Sequence, residues 1–514
     1  MKLNNLYNFK NPVKHFINVD SLKYPDNLSS VELSNLSWTA PFSFRVKKQG
    51  DKYRALKIPN ILNFACSYEQ FKDFPNFNDI NRIDLLHKRL SANITTGDFT
   101  SGEYDKQLET DFERLCVYDN LLKMDIKEYY GRIYTHNIKI LGNKENYLTN
   151  LNLGKTNGLL MGNYLSLYFA ETMLKEISSD IEEEIKDIGI DCEFSYFSDD
   201  FYFFCNKNDN EKVVKIFDQV LEKYDFERND SKKEIWDFET YNNYNLVARY
   251  WKKLIAHCNI RFKEDRDDNK LYFINQIVYR MSKLEDDKLK TVFINNFFKT
   301  RYFNELDLDK YQVKKYDYHQ FCFIMKFSPE VILYAVKKFS TMSSFEYDKL
   351  KKFFKVRYRE ALRGSFNEEQ LYFYYAIKIL NFTEVLVEMK DVVLKSNNQI
   401  LISYYLKDKI FNDEDLIALK KNTDEKFWFQ NYHLILYSES FMADLENSIE
   451  KYLIPKKATT KKQKNSYMNF YKENINMENS IIRNIKEVNN EIQEYLKLRI
   501  EESEAAFEEE EEDD

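Results

Sequence analysis

The chain has 514 residues, 43% of them hydrophobic and 31% charged, which is apolar content for several cores and a length of about three domains. Six scattered cysteines (Cys66, Cys116, Cys192, Cys205, Cys258, Cys322) with no Cys-x-x-Cys exclude a disulfide framework and a thiolate zinc site. The start lacks an apolar signal core and no stretch approaches 18 apolar residues, so the expectation is a cytoplasmic protein with no membrane partner.

The net charge of −8 is local: Ile500 to Asp514 holds ten acids and no base, and subtracting those ten leaves the rest at +2. Such a body can carry a basic nucleic-acid groove without its bulk charge demanding one. Aromatic content of 16%, with 38 Tyr and 41 Phe, accompanies a general bias towards Asn, Lys and Ile and says little about base stacking.

In chain order, residues 1–100 mix short aromatic runs with bases. Asp51 to Asn60 reads as a strand ending in a Pro-Asn turn, with Arg54 and Leu56 on one face and Tyr53 and Lys57 off it. Such a strand holds a phosphate or is a solvated edge protected by its charge. Phe71 to Leu108 reads as loops and helices. In 101–240 the pattern sharpens. Leu121 to Ile126 suits a buried strand carrying Asp125 at its end, and Lys127 to His136 a helical turn. Thr156 to Asn163 is a glycine-bearing loop, and Tyr164 to Glu182 has the spacing of a long core helix. Glu193 to Cys205 reads as two aromatic strands with Asp199 and Asp200 in the hairpin turn between them. A second amphipathic helix over Glu211 to Tyr224 and a strand near Trp236 complete an α/β sheet with helices on one face.

Residues 241–290 read as a connecting region. From Leu271 onward the pattern is almost wholly helical, and 291–500 reads as a HEAT-like solenoid or a plain helical bundle. Pro455 to Lys464 is a basic linker candidate that touches nucleic acid or stays solvated, and 501–514 reads as a disordered acidic tail.

Taken alone, the Asp199-Asp200 pair is either a solvated turn or half of a cation site. Asp125, ending a strand that can lie beside the hairpin, brings a third carboxylate to one sheet edge. Oxygen-rich clusters bind Mg²⁺. Two such ions would activate an attacking hydroxyl and stabilise a departing pyrophosphate, which is nucleotidyl transfer.

The order Arg54…Lys57-Ile58-Pro59, Asp125-Ile126-x-x-Tyr129-Tyr130, Gly158-Leu159-x-x-Gly162, Phe197-Ser198-Asp199-Asp200 and Asn229-x-x-Lys232 resembles the fingers and palm motifs of reverse transcriptases over about residues 50–240. Among these it is most similar to the bacterial abortive-infection (Abi) reverse-transcriptase-like proteins of phage defence, which carry a HEAT-like helical half in place of a thumb. The resemblance implies a fingers-palm domain followed by an all-helical domain. It makes Asp125, Asp199 and Asp200 the acids for two Mg²⁺ ions, with Mn²⁺ as a substitute and the Ile126 carbonyl as an extra ligand.

By the same resemblance Arg54 and Lys57 hold the nucleotide, with Arg54 on the triphosphate. Gly158 and Met161 lie in the loop under it. Lys232, or its neighbour Lys233, faces the leaving pyrophosphate. Tyr130 is either the aromatic that blocks a ribose 2′-hydroxyl or a core residue. Phe197 stands where Tyr is usual, and Leu160-Met161 where Pro-Gln is, so a polar contact to template and base is lost. The implied activity is template-independent, protein-primed DNA synthesis from dNTPs by a homo-oligomer, leaving single-stranded DNA attached to a tyrosine, with Tyr7 and Tyr24 as flexible candidates. A template-copying reverse transcriptase and an inactive palm-derived nucleic-acid-binding scaffold stay open as alternatives.

Overall fold

The computed structural model describes residues 2–512 apart from 10–11, 50–51, 94, 96, 98–102, 246–271, 285, 309–314 and 343–345. It is a mixed α/β protein with two small antiparallel sheets and a mostly helical C-terminal half. The first sheet is the hairpin β1 (Phe42–Gln49) and β2 (Lys52–Ile58), paired from Phe42↔Ile58 to Gln49↔Lys52. Pro59 has no N–H for a ladder, and Asn60 caps helix α1 (Ile61–Phe71) by accepting the Leu62 N–H at 3.1 Å. The expected Pro-Asn turn is therefore a strand-to-helix junction.

Helix α2 (Glu103–Val117) precedes the second sheet, whose strands are β3 (Asn120–Asp125), β4 (Cys192–Phe197), β5 (Asp200–Cys205) and β6 (Glu234–Trp236) in the order β4-β5-β3-β6. All its pairings are antiparallel. One face packs on α3 (Tyr164–Ile188) and α4 (Asn210–Lys223), with Phe201 and Phe203 meeting Phe217 at ring distances of 5.1 and 5.6 Å. Helix α3 begins at Asn163, whose side chain accepts the Ser166 N–H, and ends at Gly189 with φ +70°. It outruns the expected end at Glu182 because Ile181 and Ile185 continue the buried stripe between exposed acids.

Helices were expected on one face only, but α2 covers part of the other. Leu108, Leu115 and Tyr118 pack there with Leu121, Phe204 and Tyr241. Leu121 and Phe204 lie on the same pleat as Asp125 and Asp200, four residues back along each strand, and their apolar surface needs a cover that the acid end does not. The free edge of β4 is also closed: Tyr196 donates its N–H to the His87 carbonyl at 2.7 Å and accepts from the Arg89 N–H at 2.9 Å. Arg89 then reaches under the sheet to a buried cluster. Both terminal guanidinium nitrogens bond Asp111, one of them also reaches Ser195 at 2.9 Å, and the Tyr241 hydroxyl donates to Asp111 at 2.5 Å.

In the C-terminal half, α5 (Asn367–Ile379) lies against the β1–β2 hairpin. Asn367 accepts the Arg45 N–H at 2.8 Å, and Glu369 pairs with Lys47 at 3.4 Å. The last helices, α6 (Lys461–Asn476) and α7 (Ile485–Glu512), return to the N-terminal segment. Asn474 clasps the Lys23 backbone with its side-chain amide, the oxygen accepting the Lys23 N–H and the nitrogen donating to the Lys23 carbonyl, and Tyr467 bonds Ser37 and Asn63. One continuous apolar core consequently runs through both halves.

Further expectations change here. The basic linker stops at Thr460, which opens α6 with a capping box to Gln463. The acidic run, expected to be disordered, continues α7 as helix to Glu512, in line with the helix preference of Glu. Tyr7 and Tyr24 are packed rather than flexible. The buried Tyr7 hydroxyl bonds the Pro59 carbonyl, and that of Tyr24 bonds the Val19 carbonyl at 2.8 Å while its ring stacks on Phe470. Burial pushes the pKa of both phenols up. The five described cysteines are free thiols; Cys258 and most of the 241–290 connecting region lie outside the described residues.

Removing Asp111 strands a buried guanidinium. Asp111→Ala is expected to cost about 3–5 kcal/mol, read as a lowered urea midpoint.

Candidate active site

Asp125 ends the central strand, and the ladder sets it directly opposite Asp200 of β5. Asp199 was expected beside Asp200 in the turn. In fact the loop is the two residues Ser198-Asp199, with Ser198 at φ +55°, and Asp200 is already in the strand opposite Phe197. A positive φ at the first loop position matches the twist of the flanking strands and lets the hairpin turn without splaying. The Asp199 carbonyl accepts the Ile126 N–H at 3.0 Å, so the turn is tied to the strand that carries Asp125.

Asp125 is 2% exposed. A carboxylate buried to that degree needs full hydrogen bonding, and the segment after α4 supplies it. Asn229 donates its backbone N–H to the Asp125 carbonyl at 2.8 Å and its side-chain amide to Oδ1 at 2.9 Å, while the Lys232 ammonium bonds Oδ2. The 3₁₀ turn over Asp230–Lys232 brings residues three apart onto one side, which is why Asn229 and Lys232 reach the same carboxylate. Burial works to lower the Lys232 pKa, yet the hydrogen bond and charge of Asp125, backed by Asp200 and Asp199, leave it raised. Lys233 takes no part in this clasp.

Asp200 has a different environment. Burial raises its pKa, Lys123 opposes the rise, and Asp199 and Asp125 add to it. Lys123 stands 4.0 Å from Asp200 and 3.9 Å from Glu234. The three acids are thus close enough to feel one another, but their side chains are not drawn into one cage. Among the described residues no group of three or more His, Cys, Asp or Glu is placed to hold a metal ion. Asp125 turns to Asn229 and Lys232 and Asp200 to Lys123, because like charges repel. The chemistry of the donor set suits a hard divalent cation: Asp125 and Asp200 are paired across the strands with Asp199 in the adjoining turn, and three carboxylates carry more charge than Lys123 and Lys232 offset.

The predicted nucleotide-binding residues gather alongside. Lys57 donates its backbone N–H to the Met161 carbonyl at 3.1 Å, which docks β2 onto the 158–162 loop. Gly162, at φ +114°, lies against Leu56, and Gly158, at φ +88°, lies so near the Gly131 carbonyl that a Cβ would come within 3.1 Å of it. Tyr130 is half-buried beneath this loop, its carbonyl accepting the Leu159 N–H at 2.8 Å. Burial raises its phenol pKa, the charges of Glu171 and Asp199 add to the rise, and Arg54 opposes it, so Arg54 and the acid turn both lie within electrostatic reach of the ring. Met161 is partly buried against the core and presents only its carbonyl to β2.

Two participants escaped the sequence. Asn229 was legible as part of a motif but not as a hydrogen-bond donor to Asp125. Lys123 precedes Asp125 by two residues, so strand alternation places both on one face, and that period was the available signal.

No family model matches the chain, and no curated protein matches it. Among solved structures it is similar to telomerase from Candida albicans in complex with a TWJ fragment of telomeric RNA, at 12% identity and a TM-score of 0.29, covering 73% of this chain. The chain spans 64% of the length of that structure. A likeness of that size leaves function to rest on the chain's own residues. Among the described residues, no helix is long and apolar enough to cross a membrane.

The raised Asp200 pKa has a sign that can be measured. Because the folded state favours the protonated carboxyl, the ionised group destabilises the fold at neutral pH, and that cost vanishes as pH falls below the ordinary aspartate range. In EDTA, Asp200→Asn is therefore expected to melt above the wild type at pH 7 and level with it in acid, by differential scanning calorimetry.

Proposed function

We propose that this chain is a metal-dependent nucleotidyl transferase of the reverse-transcriptase type, a DNA polymerase whose palm is the four-stranded sheet and whose fingers include the β1–β2 hairpin. The observation that carries the proposal is the opposition of Asp125 and Asp200 across the central strand pair, with Asp199 in the adjoining turn and Lys232 on the same carboxylate edge. Asp125, Asp199, Asp200 and the Ile126 carbonyl would hold magnesium, whose chemistry there is activation of an attacking hydroxyl and stabilisation of a leaving pyrophosphate.

The protein's own groups do the rest. Lys232 keeps its proton through a raised pKa and has a side chain 47% exposed, so its ammonium is available to a leaving phosphate oxygen. Arg54 and Lys57, on the strand docked over the loop, bind the triphosphate of a dNTP, Arg54 through its planar fork. Gly158 allows backbone to approach where a side chain would intrude. Tyr130, beneath that loop and within electrostatic reach of Asp199, crowds the ribose 2′ position and favours deoxynucleotides. Leu160 is buried and Met161 offers no polar side-chain group, which supports synthesis that does not read a template.

The motif resemblance extends the proposal to a bacterial Abi-type enzyme of phage defence, homo-oligomeric and cytoplasmic, whose HEAT-like helical half replaces a thumb and whose DNA starts on one of its own tyrosines. Tyr7 and Tyr24, buried or stacked as they are, are poor acceptors, and the priming hydroxyl lies elsewhere.

Purified protein with Mg²⁺ and labelled dNTPs is expected to incorporate label without added template, and Asp125→Asn to lower the rate at least about a hundredfold. Products that copy an added template and require it would favour the template-copying alternative. Full phage protection by Asp199→Asn with Asp200→Asn would leave only the scaffold. Tyr130→Ala is expected to weaken discrimination against ribonucleotides by about tenfold or more, measured as a ratio of kcat/KM values.

A further inference from the structure

Behind the nucleotide loop lies a cavity of about 640 Å³ where the helical half closes on the N-terminal half. Four lysines from four separate segments line it: Lys57 of β2, Lys155 before the glycine loop, and Lys426 and Lys456 from the helical half. Among the described residues Lys57, Lys155 and Lys456 have no carboxylate within ion-pair distance. Lys426 lies 3.7 Å from Asp424. The two acids in the same wall are locally engaged: Asp424 accepts the Lys426 N–H at 3.0 Å and Glu425 the Lys456 N–H at 3.1 Å. Lys57 and Lys155 stand close enough that, after burial, the charge of Lys155 further depresses the Lys57 pKa. The wall carries four lysines against two acids, and this excess of positive charge costs free energy that a bound anion recovers.

The shape and position of the cavity select the anion. Its wall includes Gly131 and Gly158, whose backbones are nearly in contact and which adjoin Tyr130. Lysines spread over several segments, with Asn152 and Asn157 between them, suit a run of phosphodiesters better than one compact phosphate. We propose that this cavity holds the sugar-phosphate backbone of a single-stranded nucleic acid beside the candidate active site, with the helical half supplying the outer wall. The choice of a nucleic-acid strand rests on the polymerase function proposed above; the anion site itself does not.

The test is fluorescence anisotropy of fluorescein-labelled oligo(dT) with the full-length protein in EDTA, which keeps binding separate from catalysis. Lys155→Glu, Lys426→Glu and Lys456→Glu together are expected to raise Kd at least about tenfold and to reduce the slope of log Kd against log salt by about 2, since each single-strand phosphate contact contributes roughly 0.7. Asp200→Asn is expected to bind as the wild type does even if no variant or wild type incorporates nucleotides, so failure of the polymerase proposal and failure of this one are distinct results. If the charge-reversed protein does not fold, the same three positions changed to Gln are titrated, and changed to Arg are expected to retain binding. Unchanged oligo(dT) affinity and salt slope in the reversed or Gln protein would overturn the proposal. So would weaker binding of tripolyphosphate or dTTP with oligo(dT) unaffected, because the cavity would then be a free-nucleotide site.

Discussion

The burial of one carboxylate organises the α/β half of the molecule. Asp125 sits at the end of an inner strand of the four-stranded sheet at 2% exposure, where an ionised group without partners would cost several kcal/mol. The chain meets that demand with a segment about a hundred residues further on. Asn229 and Lys232 bond both carboxylate oxygens, and the same contact seats the turn that leads into β6 against β3. Position and chemistry are thereby linked. What anchors the edge of the sheet also sets a lysine ammonium beside the acids that the proposed reaction uses.

A second constraint is the close approach of backbones around the 158–162 loop. Gly158 against Gly131 and Gly162 against Leu56 bring β2, the turn after β3 and the loop before α3 within hydrogen-bond range, so Lys57 can bond Met161 through main-chain atoms alone. A side chain at Gly158 would crowd the Gly131 carbonyl, and one at Gly162 would press on Leu56. At positive φ they would also strain the backbone. These contacts leave Arg54 and Asp199 within electrostatic reach of the Tyr130 ring.

The helical half is more than an appendage. Its last two helices return to the N-terminal segment, where Asn474 holds Lys23, Tyr467 holds Ser37 and Asn63, and Arg483 donates to the Lys14 carbonyl at 2.8 Å. Another of its helices meets the β1–β2 hairpin at Asn367 and Glu369. Because buried polar groups on one half find partners on the other, neither half satisfies its hydrogen bonds alone. The lysine-lined cavity exists only because the two halves close together.

The sequence by itself determined the local elements. Alternating aromatics predicted the β4–β5 hairpin, an apolar run ending in Asp125 predicted β3, and 3.6-residue spacing predicted α3 and α4; each follows from near-neighbour periodicity. It also brought Asp125, Asp199 and Asp200 to notice, because charges within apolar runs stand out, while Lys232 was marked by the motif resemblance alone. Only the tertiary structure decided what those groups touch. The clasp of Asp125 by Asn229, the cover that α2 places over Leu121 and Phe204, the burial of Tyr7 and the stacking of Tyr24 on Phe470 all depend on partners tens to hundreds of residues away. Periodicity reports which face of an element is apolar, whereas the partner that covers that face is set by packing of the whole chain.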